Sequence, residues 1–480
     1  MKTAAWVVLA AIGLGLMVLT YEKQIRGNPQ APWASGLLFI GEGEPAKPVE
    51  AGTVVWSRLR LLPASDRSAA LLKAAERTKS LREAKLGFRL RPKLIDLPVD
   101  EMVHCADWLR EGRIPEPGKH EVLAGAQTPP GDHLSVAGET FRVVGVLQPS
   151  MALLADCYVA PADPSLDVCF SKRDDDVHQA RLLHLSAGFL RDRKQLNKLI
   201  EAFPPPRFAI LMPWVRPERD AFLAYLAAQA LFLLGGTGVL ISLYRWLAGW
   251  VRLPLLAAPL EEMVRRPRLL WGGHLVYFGL FVVGALIIYP FPDVHTVIMT
   301  AVQGEIASKD GGVLAVAGKA YGTGNMFYAA AVTFVINFFL GSLAMISIPS
   351  MIIPGCGALL AVCRSMLWGL LLGPTENTLS WLMLPHTGTL LLEGGGYILA
   401  AFFAILVPVY LFRPGQPDAK PLLVDELASS PEVDCPPHQT FGRRFRSALT
   451  LNLKGNVLVA MVLAVAACYE SVEVILMAGF

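Results

Sequence analysis

His386 and Glu393 stand inside a run that otherwise reads as hydrocarbon-facing sequence, TLSWLMLPHTGTLLLEGGGYILAAFFAILVPVYLF from Thr378 to Phe412. An ionisable group at bilayer depth costs about 3 kcal/mol or more, so it marks a site or a deliberate pairing. Seven residues apart on a helix, an imidazole and a carboxylate share a face. Together they can hold a proton, a cation, a lipid headgroup or a partner helix. The plainer alternative is a hydrogen-bond knot bracing a broken helix. Pro385, Thr387, Gly388 and the glycines Gly394 to Gly396 surround the pair. Backbone interrupted in this way is tolerated at depth only where protein or a water-filled cavity covers it. Asn337, on an earlier apolar span, can join His386, Thr387 and Glu393 across a helix contact, for about 1 kcal/mol. Arg364 lies inside another apolar span. Glu470 and Glu473, at i and i+3 late in the last span, share a face and either reach the interface or pair inward with Arg364.

The elements that carry these residues follow from composition. The 480-residue chain is 53% hydrophobic with mean hydropathy +0.45, above soluble norms. Its formal charge of +3 leaves no nucleic-acid footprint. Residues 21–220 are ordinary soluble sequence, whereas 221–412 and 455–480 are mostly apolar. A helix needs about 20 apolar residues to cross the hydrocarbon. The candidates are 4–20, 221–244, 270–289, 325–346, 351–371, 379–412 and 455–477. The sixth is too long for a simple crossing and reads as a broken helix or a re-entrant half-helix followed by a crossing. The expected fold class is therefore a multi-pass α-helical membrane protein of about seven transmembrane segments, one broken. An external α+β domain is inserted between helices 1 and 2. Residues 1–20 read as a retained anchor, because no small-x-small cleavage site precedes Tyr21-Glu22-Lys23.

Lysine and arginine in the short loops set the orientation. Basic loop 245–268 carries Arg245, Arg252, Arg265, Arg266 and Arg268. Loop 413–454 carries Arg413, Lys420, Arg443, Arg444, Arg446 and Lys454. Loop 290–323 has only Lys309 and Lys319. The first two are expected in the cytoplasm and the third outside. Residues 21–220 and the C-terminus then lie outside, in the periplasm if the envelope has one. Within 245–268, Arg252, Glu261, Glu262, Arg265 and Arg266 form an amphipathic stretch. It can contact a cytoplasmic partner or lie on anionic lipid.

In the external domain, Glu121 to Gly125 and His133 to Leu147 alternate like strands, with Ala137-Gly138 as a hairpin turn. Residues 66–87 and 187–202 read as helices. Cys157 and Cys169 can pair in an oxidising compartment or remain thiols alongside Cys105.

Two resemblances follow. The segments LREGRIPEPGKHEVLAG and PPGDHLSVAGETFRVVGVL resemble the periplasmic core domain of macrolide-exporter-type ABC permeases. The matching positions are Gly112-Arg113-Ile114-Pro115, Glu121 to Gly125, Gly131-Asp132 and Val143 to Val146. The resemblance implies structural, not catalytic, roles for them. From Glu262 onward, 262–480 resembles the stage II sporulation protein M family. The matching pieces are RRPRLLWGGHLVYFGLFVVGALI, FVINFFLGSLAMISIPSMIIPGCGALL and LPHTGTLLLEGGGYILA. Asn337, Gly355, Pro385 and His386 match the family pattern. Pro354 replaces an asparagine, Thr387 a glycine, and Glu393 follows His386 by seven residues where the family spaces them by four.

Gly311 to Ala320 mimics a phosphate loop but has the wrong spacing and no Ser/Thr after Lys319. Neither a metalloprotease helix nor a nucleophile elbow is present. His104 and Cys105 are adjacent, which is no ligand spacing. No enzyme activity, metal or cofactor is expected. The expectation is a permease-like subunit of an ABC-type transport or envelope-remodelling complex in the inner membrane, energised by a separate ATPase. The alternative is a non-transporting scaffold that localises cell-wall hydrolases, as the second resemblance implies. The bilayer is a partner on either reading, nucleic acid on neither, and a homo-oligomer stays open.

Overall fold

The computed structural model describes residues 2–40 except 29, 32 and 35; 54–63; 66–76; 90–162 except 130, 137 and 138; 177–184; 195; 198–199; 208–211; 215–306; 311–412; and 441–478. Two bodies of structure emerge, a mixed sheet between the first two long helices and a helical bundle after it.

The sheet has ten strands: β1 Gly36–Ile40, β2 Val54–Leu61, β3 Lys93–Leu97, β4 Leu109–Gly112, β5 Glu121–Ala124, β6 His133–Val136, β7 Glu139–Leu147, β8 Cys157–Pro161, β9 Val177–His184 and β10 Phe208–Leu211. Their order is β10-β1-β9-β2-β3-β8-β5-β7-β4, with β6 on β7. β3 runs parallel to β8 and β5 parallel to β7, and the other pairs are antiparallel. Strand side chains alternate between faces, and both faces are covered at the centre. Ile95, Leu97, Leu123 and Val159 enter one core with Met102, Met151 and Leu154. Leu94, Val122, Tyr158 and Ala160 enter the other with Phe141. Among the described residues, α1 Lys2–Thr20 precedes the strands, and α2 Asp66–Glu76 and α3 Val99–His104 lie between them.

The expected β6–β7 hairpin forms, closing at Val136 opposite Glu139; its turn lies outside the described residues. So do the end of the helix expected over 66–87, nearly all of 187–202, and Cys169. Gly112 has φ +89°, and a Cβ there would sit 2.2 Å from the Val144 carbonyl oxygen. Only glycine fits where β4 ends against β7. Cys105 and Cys157 are buried, and burial pushes the Cys105 thiol up to about 12, which keeps it unreactive.

Arg113 anchors this region by a two-pronged ion pair with the buried carboxylate of Glu121, one arm at 2.7 Å; the Glu116 amide donates at 3.1 Å. The Arg113 hydrogen bonds hold the Glu121 carboxyl below its usual range. A depressed carboxylate stabilises the fold above its unfolded value, about 4.3, and that stability is lost as pH falls through the folded value. The melting temperature is therefore expected to fall below about pH 4.3, and Glu121→Gln should flatten that slope. Parallel thermal melts from pH 3 to 7 check it; an unchanged slope would remove Glu121 from the account.

The bundle contains α4 Arg219–Trp250, α5 Pro254–Arg265, α6 Pro267–Ile288, α7 Pro292–Ile306, α8 Val313–Gly322, α9 Met326–Ile352, α10 Cys356–Leu372, α11 Asn377–Phe412 and α12 Phe441–Ala478. Among the described residues, six helices are long and apolar enough to cross a membrane: Thr3–Ile25, α4, α6, α9, α11 and α12. α10, at 17 residues, falls short of that length. The chain is mostly helical outside the sheet.

Small residues set the closest helix contacts, as they do wherever backbones approach without water to drive them together. Gly13 on α1 lies against the Phe232 backbone of α4, and Gly235 against Ala10. Ser365 and Gly369 on α10 and Gly373 just after it recur at i, i+4 and i+8 and face α6. Ser365 donates to the Tyr277 carbonyl, and Gly369 lies over that of Phe281. α11 is the central helix, with Leu390, Tyr397, Leu399, Phe403 and Leu406 buried.

Three expectations need correction. Residues 379–412 are not broken: α11 runs unbroken through Pro385 and Pro408. Pro385 removes only its own donor, and neighbours satisfy the turn around it. Thr387 Oγ1 donates to the Met383 carbonyl, Tyr225 Oη to Ser380 at 2.5 Å, and Tyr469 Oη to Pro385 at 3.0 Å. The distorted helix is α9 instead, which widens into a π-helix over Ile336–Ser347. Loops 245–268 and 413–454 are also partly helical. α5 fills the first, and α12 begins at Phe441, where Arg444 donates to the Leu411 carbonyl at the end of α11.

Candidate functional site

Arg364 lies at the midpoint of α10. Its Nη2 donates to Tyr397 Oη at 2.7 Å and to Glu393 Oε1 at 3.3 Å, and Tyr397 Oη donates to the same carboxylate oxygen at 2.8 Å. Glu393 and Tyr397 are one turn apart on α11, so both project at α10. The guanidinium also stacks on the Tyr397 ring at 4.0 Å and approaches Trp368 at 5.7 Å, a favourable cation–π geometry. Its Nε has no partner among the described residues. The π-helical stretch of α9 closes the site: a Cβ on Gly341 would lie 2.9 Å from Tyr397 Oη and 3.2 Å from Arg364 Nη1.

A second layer lies two turns along α11. His386 Nδ1 and Glu473 Oε1 are 3.0 Å apart, and Thr389 Oγ1 donates to Glu473 Oε2 at 2.6 Å. Glu473 is thus turned inward from α12, not out to the interface. Glu470, one turn earlier and half-buried, interacts with His386, Glu473, Glu393 and Tyr321 of α8. Gly388 leaves room for Tyr469, whose Oη its Cβ would meet at 2.7 Å and whose ring at 2.9 Å.

The predicted cluster is therefore only partly assembled. His386 and Glu393 both face the interior, on different partners. Arg364 pairs with Glu393, not with Glu470 or Glu473. Thr387 turns to α4, where Gln229 Nε2 donates to it at 3.1 Å. Asn337 is buried on the π-helical stretch of α9. A separate network, Ser347 to Asn456 at 2.9 Å and Asn456 to Asn452, ties α9 to α12. Tyr397, the residue that joins Arg364 to Glu393, escapes a search for charges alone. Its position four residues after Glu393 is the signal that reveals it.

The predicted cytoplasmic contact is also rearranged. Glu262 is buried and inward, holding Arg265 at 2.9 Å and Arg266 at 3.0 Å. Arg266 also faces the Tyr410 ring of α11 at 5.6 Å. Arg252, Glu261 and Arg265 remain exposed. Lys454 of α12 donates to the Pro254 carbonyl at 3.3 Å. α5 is consequently clamped across the ends of α4, α11 and α12.

Chemically, three carboxylates (Glu393, Glu470, Glu473) face one guanidinium and one imidazole. Among the described residues no group of three or more His, Cys, Asp or Glu is arranged to hold a metal ion. No protein-family model, curated protein or solved structure matches this chain.

Proposed function

We propose that this chain is a multi-pass inner-membrane subunit of an ABC-type transport or envelope-remodelling complex, permease-like and driven by a separate ATPase. The observation that carries the reading is α5. It is short, amphipathic and pinned by the Glu262–Arg265–Arg266 knot, so a load on its exposed face passes to the long helices it touches. The contacts at the bundle's two ends support the proposed orientation. Val215, Tyr289, His295, Leu371 and Asn377 meet at one end: Asn377 pairs with Val215 in both directions, and His295 Nε2 approaches the Leu371 carbonyl at 3.2 Å. Pro254, Arg266, Leu411, Arg444 and Lys454 meet at the other. The basic end is cytoplasmic under the charge rule. The sheet is then external, with α2 between its strands joined to α7 through Ser68 and Asp293 at 3.2 Å. Under this reading α10 is the seventh, shorter crossing.

The second reading is a non-transporting scaffold for cell-wall enzymes, with the sheet as docking module. The pairing of Glu473 through both of its carboxylate oxygens favours it, because a brace holds its charges in fixed hydrogen bonds. Purification from mild detergent separates the two. An ATPase should accompany the wild-type chain and be lost in Arg252→Glu/Glu261→Arg, which leaves Glu262 intact. A co-purifying cell-wall hydrolase without an ATPase would overturn the first reading in favour of the second. Reporter fusions after residues 60 and 180 should report outside, and after 262 and 430 inside; an external signal at 430 would refute the orientation.

A further inference from the structure

α6, α10 and α11 do not close against one another along their full length. Between them lies a groove of about 270 Å³. Gly272 and Gly273 of α6, Ala358 and Ala361 of α10 and Ala401 of α11 create it by their small size, and its walls are almost wholly apolar. Leu275 and Val276 are exposed on the same stretch of α6, so the groove opens sideways, where lipid lies if the bundle spans a membrane. From Arg268 to Tyr277 it runs nine residues along α6, roughly 14 Å at the helical rise. That is about half the hydrocarbon thickness.

The one charged residue lining it is Arg268, at the first turn of α6. Arg268 is exposed and, among the described residues, has no hydrogen-bonding or charged partner. Arg265 and Arg266 beside it bind the Glu262 carboxylate, which leaves Arg268 as the charge at this end of the groove. The amino end of the α6 dipole adds to the same field. A dry slot entered from the lipid side, with a free guanidinium at its interfacial mouth, is complementary to an acyl chain attached to an anionic headgroup.

We propose that this groove binds one anionic phospholipid, its phosphate on Arg268 and one acyl chain laid toward Tyr277. The site rests on the membrane reading above and not on the ATPase partner. It is separate from the Arg364 cluster, although Tyr277, whose carbonyl accepts from Ser365, forms the inner end of the groove.

The test is a lipid titration of the full-length chain in detergent, read by native mass spectrometry. Phosphatidylglycerol and phosphatidylcholine with identical acyl chains are the probes. The first phosphatidylglycerol is expected to bind about tenfold tighter than phosphatidylcholine, the scale of one charge-assisted contact. Arg268→Gln should abolish that preference. Gly272→Leu should weaken both lipids, because its side chain points into open space in the groove. An unchanged headgroup preference in Arg268→Gln overturns the proposal, as does unchanged lipid binding in folded Gly272→Leu. If Gly272→Leu does not fold, the Arg268→Gln arm decides alone. Equal competition by inorganic phosphate would identify a free-anion site instead. Loss of a dimer, with lipid binding unaltered, would identify a second copy as the occupant. Both outcomes refute the lipid assignment. The reporter fusions test the membrane reading separately.

Discussion

Arg364→Met is expected to destabilise the purified protein by about 3–5 kcal/mol, the cost of leaving a buried charge without its partner. Glu393 would keep only the Tyr397 hydroxyl, and the Tyr397 ring would lose the guanidinium stacked on it. Arg364→Met/Glu393→Leu should recover most of the loss, because removing both charges removes the desolvation cost as well. Glu393→Gln should fold, since an amide still accepts from Tyr397. If that variant folds but fails to complement a deletion strain, the charge itself has a function; if it complements, the cluster is a brace. Thermal melts of the set in one detergent, with Glu393→Leu alone as the fourth corner, complete the double-mutant cycle. A wild-type melt for Arg364→Met would show that the ion pair contributes nothing.

Gly369→Ile should be nearly as damaging, at about 3 kcal/mol, the upper part of the usual overpacking range. A Cβ at Gly369 would stand 2.1 Å from the Phe281 carbonyl oxygen and 3.0 Å from the Gly284 Cα. Both are backbone atoms, so no rotamer change relieves the clash and α6 must part from α10. The Ser365–Tyr277 bond lies on the same seam and would be lost with it. Gly279→Ala on α6 is the matched control. Nothing lies within 4 Å of its Cβ position, so it should be neutral or slightly stabilising, by up to about 1 kcal/mol. Equal melting temperatures for the two variants would refute the close-approach account. The two effects are expected to be additive only in part, because Arg364 and Gly369 share α10.

Much of the helical part was legible because hydrophobicity over a span of about 20 residues is a local property. Each of the seven candidate spans falls largely on a helix, but 351–371 is interrupted at Ile353–Gly355, and its helical part, α10, falls short in length. The β6–β7 hairpin was legible for the same reason, through strict alternation on either side of a turn dipeptide. The break expected in α11 was a misjudgement of context. Pro and Gly signal a break by local rules, but α11 lies at the centre of the bundle, where Tyr225 and Tyr469 satisfy carbonyls around Pro385. The π-helical stretch of α9 gave no local signal. Its only trace is Gly341, whose missing side chain makes sense only once Tyr397 lies against it.

The sequence by itself determined which residues are costly to bury. Glu393, Arg364, His386 and Glu473 each stand out as ionisable groups in apolar spans, whatever the fold, because the desolvation cost depends on the residue and its depth. Tertiary structure alone decided how each cost is met. Arg364 and Glu393 are 29 residues apart, and His386 and Glu473 are 87 apart. No periodicity links positions on separate helices. Which carboxylate meets the guanidinium is chosen by how closely α6, α10, α11 and α12 pack and by how they are rotated. The contacts that set that rotation are backbone approaches at Gly369 and Gly373 and the fit of the Tyr397 and Arg364 side chains against Gly341, which appear in the sequence only as side chains that are not there.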